Sequence, residues 1–124
     1  MATFELDENH SLYQIHAYKP GSIYINERIF SHSLIISQDK LIENWAPQTV
    51  SELKVESFSP IIELKPDILL IGTGAKLVFL PIELYGDLIN HGIGVEIMDT
   101  SAACRTFNAL SAENRHVVAA LIIR

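Results

Sequence analysis

The chain reads as an α/β domain. Three observations lead there. The first half is cut into short strand-like runs. The second half alternates apolar runs with helical periodicity. The last run, Val117-Val118-Ala119-Ala120-Leu121-Ile122-Ile123, has no polar alternation, so both of its faces must be covered. At 124 residues the expectation is one domain over 1–124, large enough for a core without disulfide or metal.

Tyr13-Gln14-Ile15-His16-Ala17-Tyr18 alternates and predicts a half-buried strand, closed by the turn Lys19-Pro20-Gly21-Ser22. Ile23-Tyr24-Ile25 and Arg28-Ile29-Phe30 flank Asn26-Glu27, which suggests a hairpin with an unusual turn pair. Ser33 to Ser37 is a further strand, and Leu41 to Trp45 another, ended by Ala46-Pro47. Ser57 is placed to cap a helix carrying Phe58, Ile61, Ile62 and Leu64, with Pro60 in its first turn and Lys65-Pro66 as its stop.

Ile68 to Ile71 is a buried strand that ends in Gly72-Thr73-Gly74. After apolar Leu77-Val78-Phe79-Leu80, Pro81 opens a helix with Ile82, Tyr85, Leu88 and Ile89 on one face, and Gly92 stops it. Ile93 to Met98 is a strand. Asp99 or Thr100 then caps a helix with Ala103, Phe107 and Leu110 at i, i+4 and i+7. A parallel crossover from Ile71 to Val95 brings Gly72-Thr73-Gly74 and Asp99-Thr100 to the same end of the sheet, where open α/β sheets bind ligands.

Composition narrows the function. Hydrophobic residues at 48% and charged residues at 19% argue against disorder, and a net charge of −6 with no basic run argues against nucleic acid. Cys104 is the sole cysteine, so no internal disulfide forms. No apolar run is long enough for a membrane span, and Met1-Ala2-Thr3-Phe4-Glu5-Leu6-Asp7-Glu8 has no targeting pattern, so a cytoplasmic location is expected.

The two turns are the candidate ligand site: Gly72, Thr73, Gly74, Asp99, Thr100, Arg105 and Asn108. The glycine turn offers backbone N–H groups to an anion, the helix start offers more, and Arg105 offers a bidentate clamp with Asn108 on its side of the helix. Equally, the glycines serve a tight turn, and Arg105 is a solvated residue paired with an acid such as Asp99. The third glycine of a dinucleotide fingerprint is missing, and no Gly-Lys-Ser/Thr follows for a P-loop.

Cys104 lies early in its helix, where the dipole lowers a thiol pKa, although a free cysteine usually packs as a small hydrophobe. His10, His16, His32, His91 and His116 show no metal-ligand spacing, and nothing pairs Glu83, Asp87, Glu96 and Asp99 for acid–base work. Trp45 is either a core plug or an interface anchor. No catalytic residue, metal or cofactor is assigned.

Pro66 to Gly74, Gly92 to Thr100, Ala103-Cys104-Arg105-Thr106-Phe107-Asn108-Ala109-Leu110 and Glu113 to Leu121 together resemble a family of unknown function. That family includes the mitochondrial complex I assembly factor 3 and the adipogenesis-associated domain protein. It often has Gly where Asn114 stands. The resemblance spans nearly the whole chain. It implies a three-layer α/β domain with a central mixed sheet, helices on its faces and an additional N-terminal β portion, and it implies no established catalysis.

The leading expectation is therefore a non-enzymatic protein-interaction or assembly module with an unidentified protein partner, related to complex I assembly. The alternative is a binder of a small molecule or anion, or a minor enzyme, using the crevice between the two turns. A third is a homo-oligomer joined through the hairpin around Tyr24 and Phe30.

Overall fold

The non-alternating run near the C-terminus is the middle strand of the larger sheet. The computed structural model describes residues 12–124. The acidic start read from Met1 to Glu8, and His10, lie outside the described residues. In chain order the elements are β1 (Ile15–Lys19), β2 (Ser22–Ile25), β3 (Arg28–Phe30), β4 (Leu34–Ser37), β5 (Leu41–Ile42), two 3-10 turns (Val50–Glu52 and Val55–Phe58), α1 (Ser59–Leu64), β6 (Ile68–Gly72), α2 (Ile82–Asn90), β7 (Gly94–Met98), α3 (Thr100–Ala112) and β8 (Val117–Leu121).

The larger sheet has the order β5-β4-β8-β6-β7, and β1-β2-β3 form a separate antiparallel sheet. In the larger sheet β8 runs parallel to β6 and antiparallel to β4, with Ala119 opposite both Leu70 and Ile36. The sheet is therefore mixed. Its period-2 side chains divide between two cores. Leu34, Ile36, Leu70, Val117, Ala119 and Leu121 face α3 and the small sheet, which supplies Ile15, Ile23, Ile25 and Phe30. Ile35, Leu69, Ile71, Val118 and Ala120 face the opposite layer, which supplies Trp45, Phe58, Ile61 and Leu88. This is a three-layer α/β fold with an N-terminal β portion.

The stop signals act as expected. Lys65 takes the left-handed conformation at the end of α1, just before Pro66, and Gly92 does the same after α2 with φ of 82°. The Asn26-Glu27 hairpin forms because Asn26 accepts a positive φ of 53°. Its side chain also braces the turn, accepting from the Gln14 N–H at 2.9 Å and donating to the Leu12 carbonyl at 2.9 Å.

Four local expectations change. The strand over Leu41 to Trp45 shrinks to Leu41–Ile42, and Trp45 is a core plug whose indole N–H donates to the Ser57 carbonyl at 2.9 Å. Ser57 does not cap α1. Its hydroxyl accepts the Lys54 N–H at 3.0 Å inside the 3-10 turn, and α1 begins at Ser59 with Pro60 in its first turn.

Pro81 is the residue before α2 rather than its first turn, and the helix is rotated from the expected face. Leu84 and Leu88, an i, i+4 pair that satisfies the helical period equally well, join Tyr85 against the core, while Ile82 and Ile89 stay exposed. Ahead of α2, the apolar run Leu77, Val78 and Phe79 is an irregular, exposed segment, with Phe79 87% exposed.

Candidate functional site

β6 and β7 run parallel, with Gly72 opposite Met98, so their trailing turns emerge together at one end of the sheet. There they bond to each other. The Thr73 N–H donates to the Met98 carbonyl at 2.9 Å, and the Thr100 N–H donates to the Gly74 carbonyl at 2.9 Å. The Thr100 hydroxyl accepts the Gly74 N–H at 2.8 Å and donates to the Ile122 carbonyl at 2.6 Å. The Ile122 N–H returns to the Gly72 carbonyl at 3.0 Å. Three chain segments are thereby clasped around one buried hydroxyl.

The glycines follow from that closeness. A Cβ on Gly72 would stand 2.8 Å from the Thr100 hydroxyl oxygen and 3.1 Å from its Cα. Gly74 has φ of 102°, and a Cβ there would stand 2.6 Å from the Arg124 carbonyl oxygen. Thr73 is also engaged, its hydroxyl donating to the Lys76 carbonyl at 2.7 Å and accepting the Val78 N–H at 3.1 Å. Asp99 caps α3 by accepting the Ala102 N–H at 2.8 Å.

Arg105 and Asn108 lie further along α3 and away from the clasp. The Arg105 guanidinium is exposed and donates to the Ser101 hydroxyl at 2.9 Å. Asn108 docks β1 on the helix, accepting the Ile15 N–H at 3.0 Å and donating to the Ile15 carbonyl at 2.6 Å. This pair of hydrogen bonds falls where β1 carries an irregularity in register, between Ile15 and Ala17.

Arg105 and Asn108 line a pocket of about 100 Å³ with Ile15, His16, Ala17, Tyr18, Ser101 and Cys104. The structure thus separates the seven candidate residues into a clasp and a pocket wall. His16, Tyr18 and Ser101 were not singled out from the sequence. The spacing of Ser101, Cys104, Arg105 and Asn108 on one helix face was the available signal.

Burial pushes the Cys104 thiol up to about 12, with the Arg105 charge pulling the other way and Asp99 adding to the rise. Burial therefore overrides the helix dipole that was expected to lower it, and the thiol is neutral. Tyr18 is raised for the same first reason, reinforced by Cys104 and Asp99. Among the described residues no group of three His, Cys, Asp or Glu could hold a metal ion, and no helix is long and apolar enough to cross a membrane.

Two outcomes test this geometry. Thr100→Val removes the shared hydroxyl and strands the Gly74 N–H and the Ile122 carbonyl. It is expected to cost about 1–3 kcal/mol in urea unfolding, while Thr100→Ser retains most of the stability. For Cys104, the folded thiol holds its proton above the ordinary 9.0. Its contribution is complete below pH 9.0 and is lost as pH rises toward about 12, so wild-type stability should fall more steeply across that window than that of Cys104→Ala.

The chain is 38% identical over 111 residues to NADH dehydrogenase (ubiquinone) 1 alpha subcomplex assembly factor 3 of Danio rerio, covering 87% of this chain and 63% of that protein. It therefore spans less than two thirds of that relative's length. It is 31% identical over 106 residues to a 13 kDa major membrane protein of Francisella tularensis subsp. holarctica, covering 85% and 86% of the two chains. A crystal structure of a Bordetella parapertussis protein superposes with a TM-score of 0.85 at 36% identity, covering 92% of this chain and 98% of that one. Residues 15–122 match the family described as a protein of unknown function (DUF498/DUF598), and the chain belongs to that family.

Proposed function

We propose that the chain is a non-enzymatic protein-interaction module that serves the assembly of a larger complex. The observation that carries this reading is the apolar surface leading into α2. Leu77, Val78 and Phe79 are exposed in sequence, followed by exposed Ile82 and Ile89. Exposed apolar side chains grouped along one stretch of chain, rather than scattered singly, favour an interaction surface. The polar atoms that looked most useful for chemistry, on Thr73, Thr100 and Asn108, are engaged within the chain.

The relative named as an assembly factor for NADH dehydrogenase gives this reading its sharper form, in which the partners are subunits of a respiratory NADH:ubiquinone oxidoreductase. A second reading, small-anion binding, draws support from the exposed guanidinium of Arg105 at the rim of the 100 Å³ pocket.

Cross-linking and affinity capture of the tagged chain from its native cells tests the leading reading. Reproducible enrichment of oxidoreductase subunits is expected. Replicates that share no protein partner would overturn it.

A further inference from the structure

The exposed face of α2 has a feature that the fold does not require. Ile82 and Ile89 are two turns apart and share a side of the helix, 53% and 47% exposed, and Phe79 stands just before them. Gly86 lies between them. Its φ is not positive, and a Cβ there would meet only the Ile82 Cγ1, at 3.8 Å. A glycine inside a helix is unfavourable, and nothing within the chain needs this one. Its missing side chain leaves a flat place in the apolar stripe where a second backbone can come close.

One border of the stripe is acidic. Glu83 and Asp87 are both exposed and each follows a stripe residue directly, in a chain of net charge −6. His91 stands near Asp87, with Nδ1 at 3.9 Å from the carboxylate. A second copy of the chain fits this face poorly. Gly86 is the middle residue of the nine in α2, so an antiparallel twofold crossing over it would bring Asp87 near its own counterpart.

We propose that Phe79, Ile82, Gly86 and Ile89 form the seat for an amphipathic helix of a partner protein whose apolar stripe is bordered by lysine or arginine. This rests on the interaction-module reading and names the surface and chemistry of that contact. The apolar residues supply the anchors, Gly86 allows the helices to close, and Glu83 and Asp87 select the basic border.

The test titrates the ¹⁵N-labelled chain with a synthetic amphipathic helix bearing leucines at helical spacing and lysine borders, and with a twin whose borders are glutamate. Shift changes confined to residues 77–91 are expected with the lysine peptide. Binding should weaken roughly tenfold with the glutamate twin, with Phe79→Ser and with Gly86→Leu. Gly86→Ala should raise the Tm of the free protein, showing that the glycine serves contact rather than folding.

No shifts in that segment, equal binding of the two peptides, or concentration-dependent shifts of the free chain there would overturn the proposal. Phe79→Ser in the cellular capture separates the two levels. Partners retained equally by wild type and variant would remove this seat and leave the module reading standing, whereas a wild type without partners removes the module reading.

Discussion

The Thr100 hydroxyl holds the architecture together at one end of the sheet. It receives the N–H of the turn after β6, and it donates to the carbonyl just after β8. The backbone of Thr100 adds a third tie, to the Gly74 carbonyl. Each bond lies in the interior, where a partner lost would leave a polar group stranded at substantial cost. Gly72 must be a glycine because a Cβ there would collide with Thr100 at the start of α3, and Gly74 because the chain turns left-handed beneath the Arg124 carbonyl. The turn chemistry, the helix start and the final strand are thus one unit.

That unit decides what the rest of the surface offers. A glycine turn facing a helix N-terminus elsewhere serves anions, because unpaired N–H groups converge there. Here several of those groups are spent on carbonyls and on Thr100, and the Asp99 carboxylate takes the Ala102 N–H. Two outward features bear most on function: a small pocket by Arg105 and Cys104, and the apolar approach to α2. Cys104 lines the first as a neutral thiol, because burial outweighs both the Arg105 charge and the helix dipole. The second is apolar and exposed, which favours a protein surface as its counterpart.

Much of the fold was legible in the sequence. The unbroken apolar run of β8 announced a strand covered on both faces, and Pro66, Gly92 and Asp99 marked helix boundaries by chemistry that acts within a few residues. The meeting of the Gly72 and Thr100 turns was also legible, because a parallel crossover leaves little freedom. Their mutual bonding was not. It depends on the Ile122 carbonyl arriving from a strand far along the chain, a tertiary matter that no local pattern encodes. The rotation of α2 was ambiguous for a related reason. Ile82, Leu84, Tyr85, Leu88 and Ile89 offer two overlapping apolar stripes, and only the neighbours packed against the helix choose between them. The irregularity in β1 between Ile15 and Ala17, beside the pocket, likewise sits where Asn108 holds both backbone groups of Ile15, a contact between residues far apart in sequence.

The central claim is that the two turns form a closed structural clasp. Native-state hydrogen exchange at the Gly74 and Ile122 amides reads it directly, because the Gly74 N–H donates to the Thr100 hydroxyl and the Ile122 N–H donates to the Gly72 carbonyl. Both amides are predicted to exchange only through global unfolding, with the same free energy as the core amides of β8. Exchange through a local opening of low free energy, with the core still protected, would contradict the account.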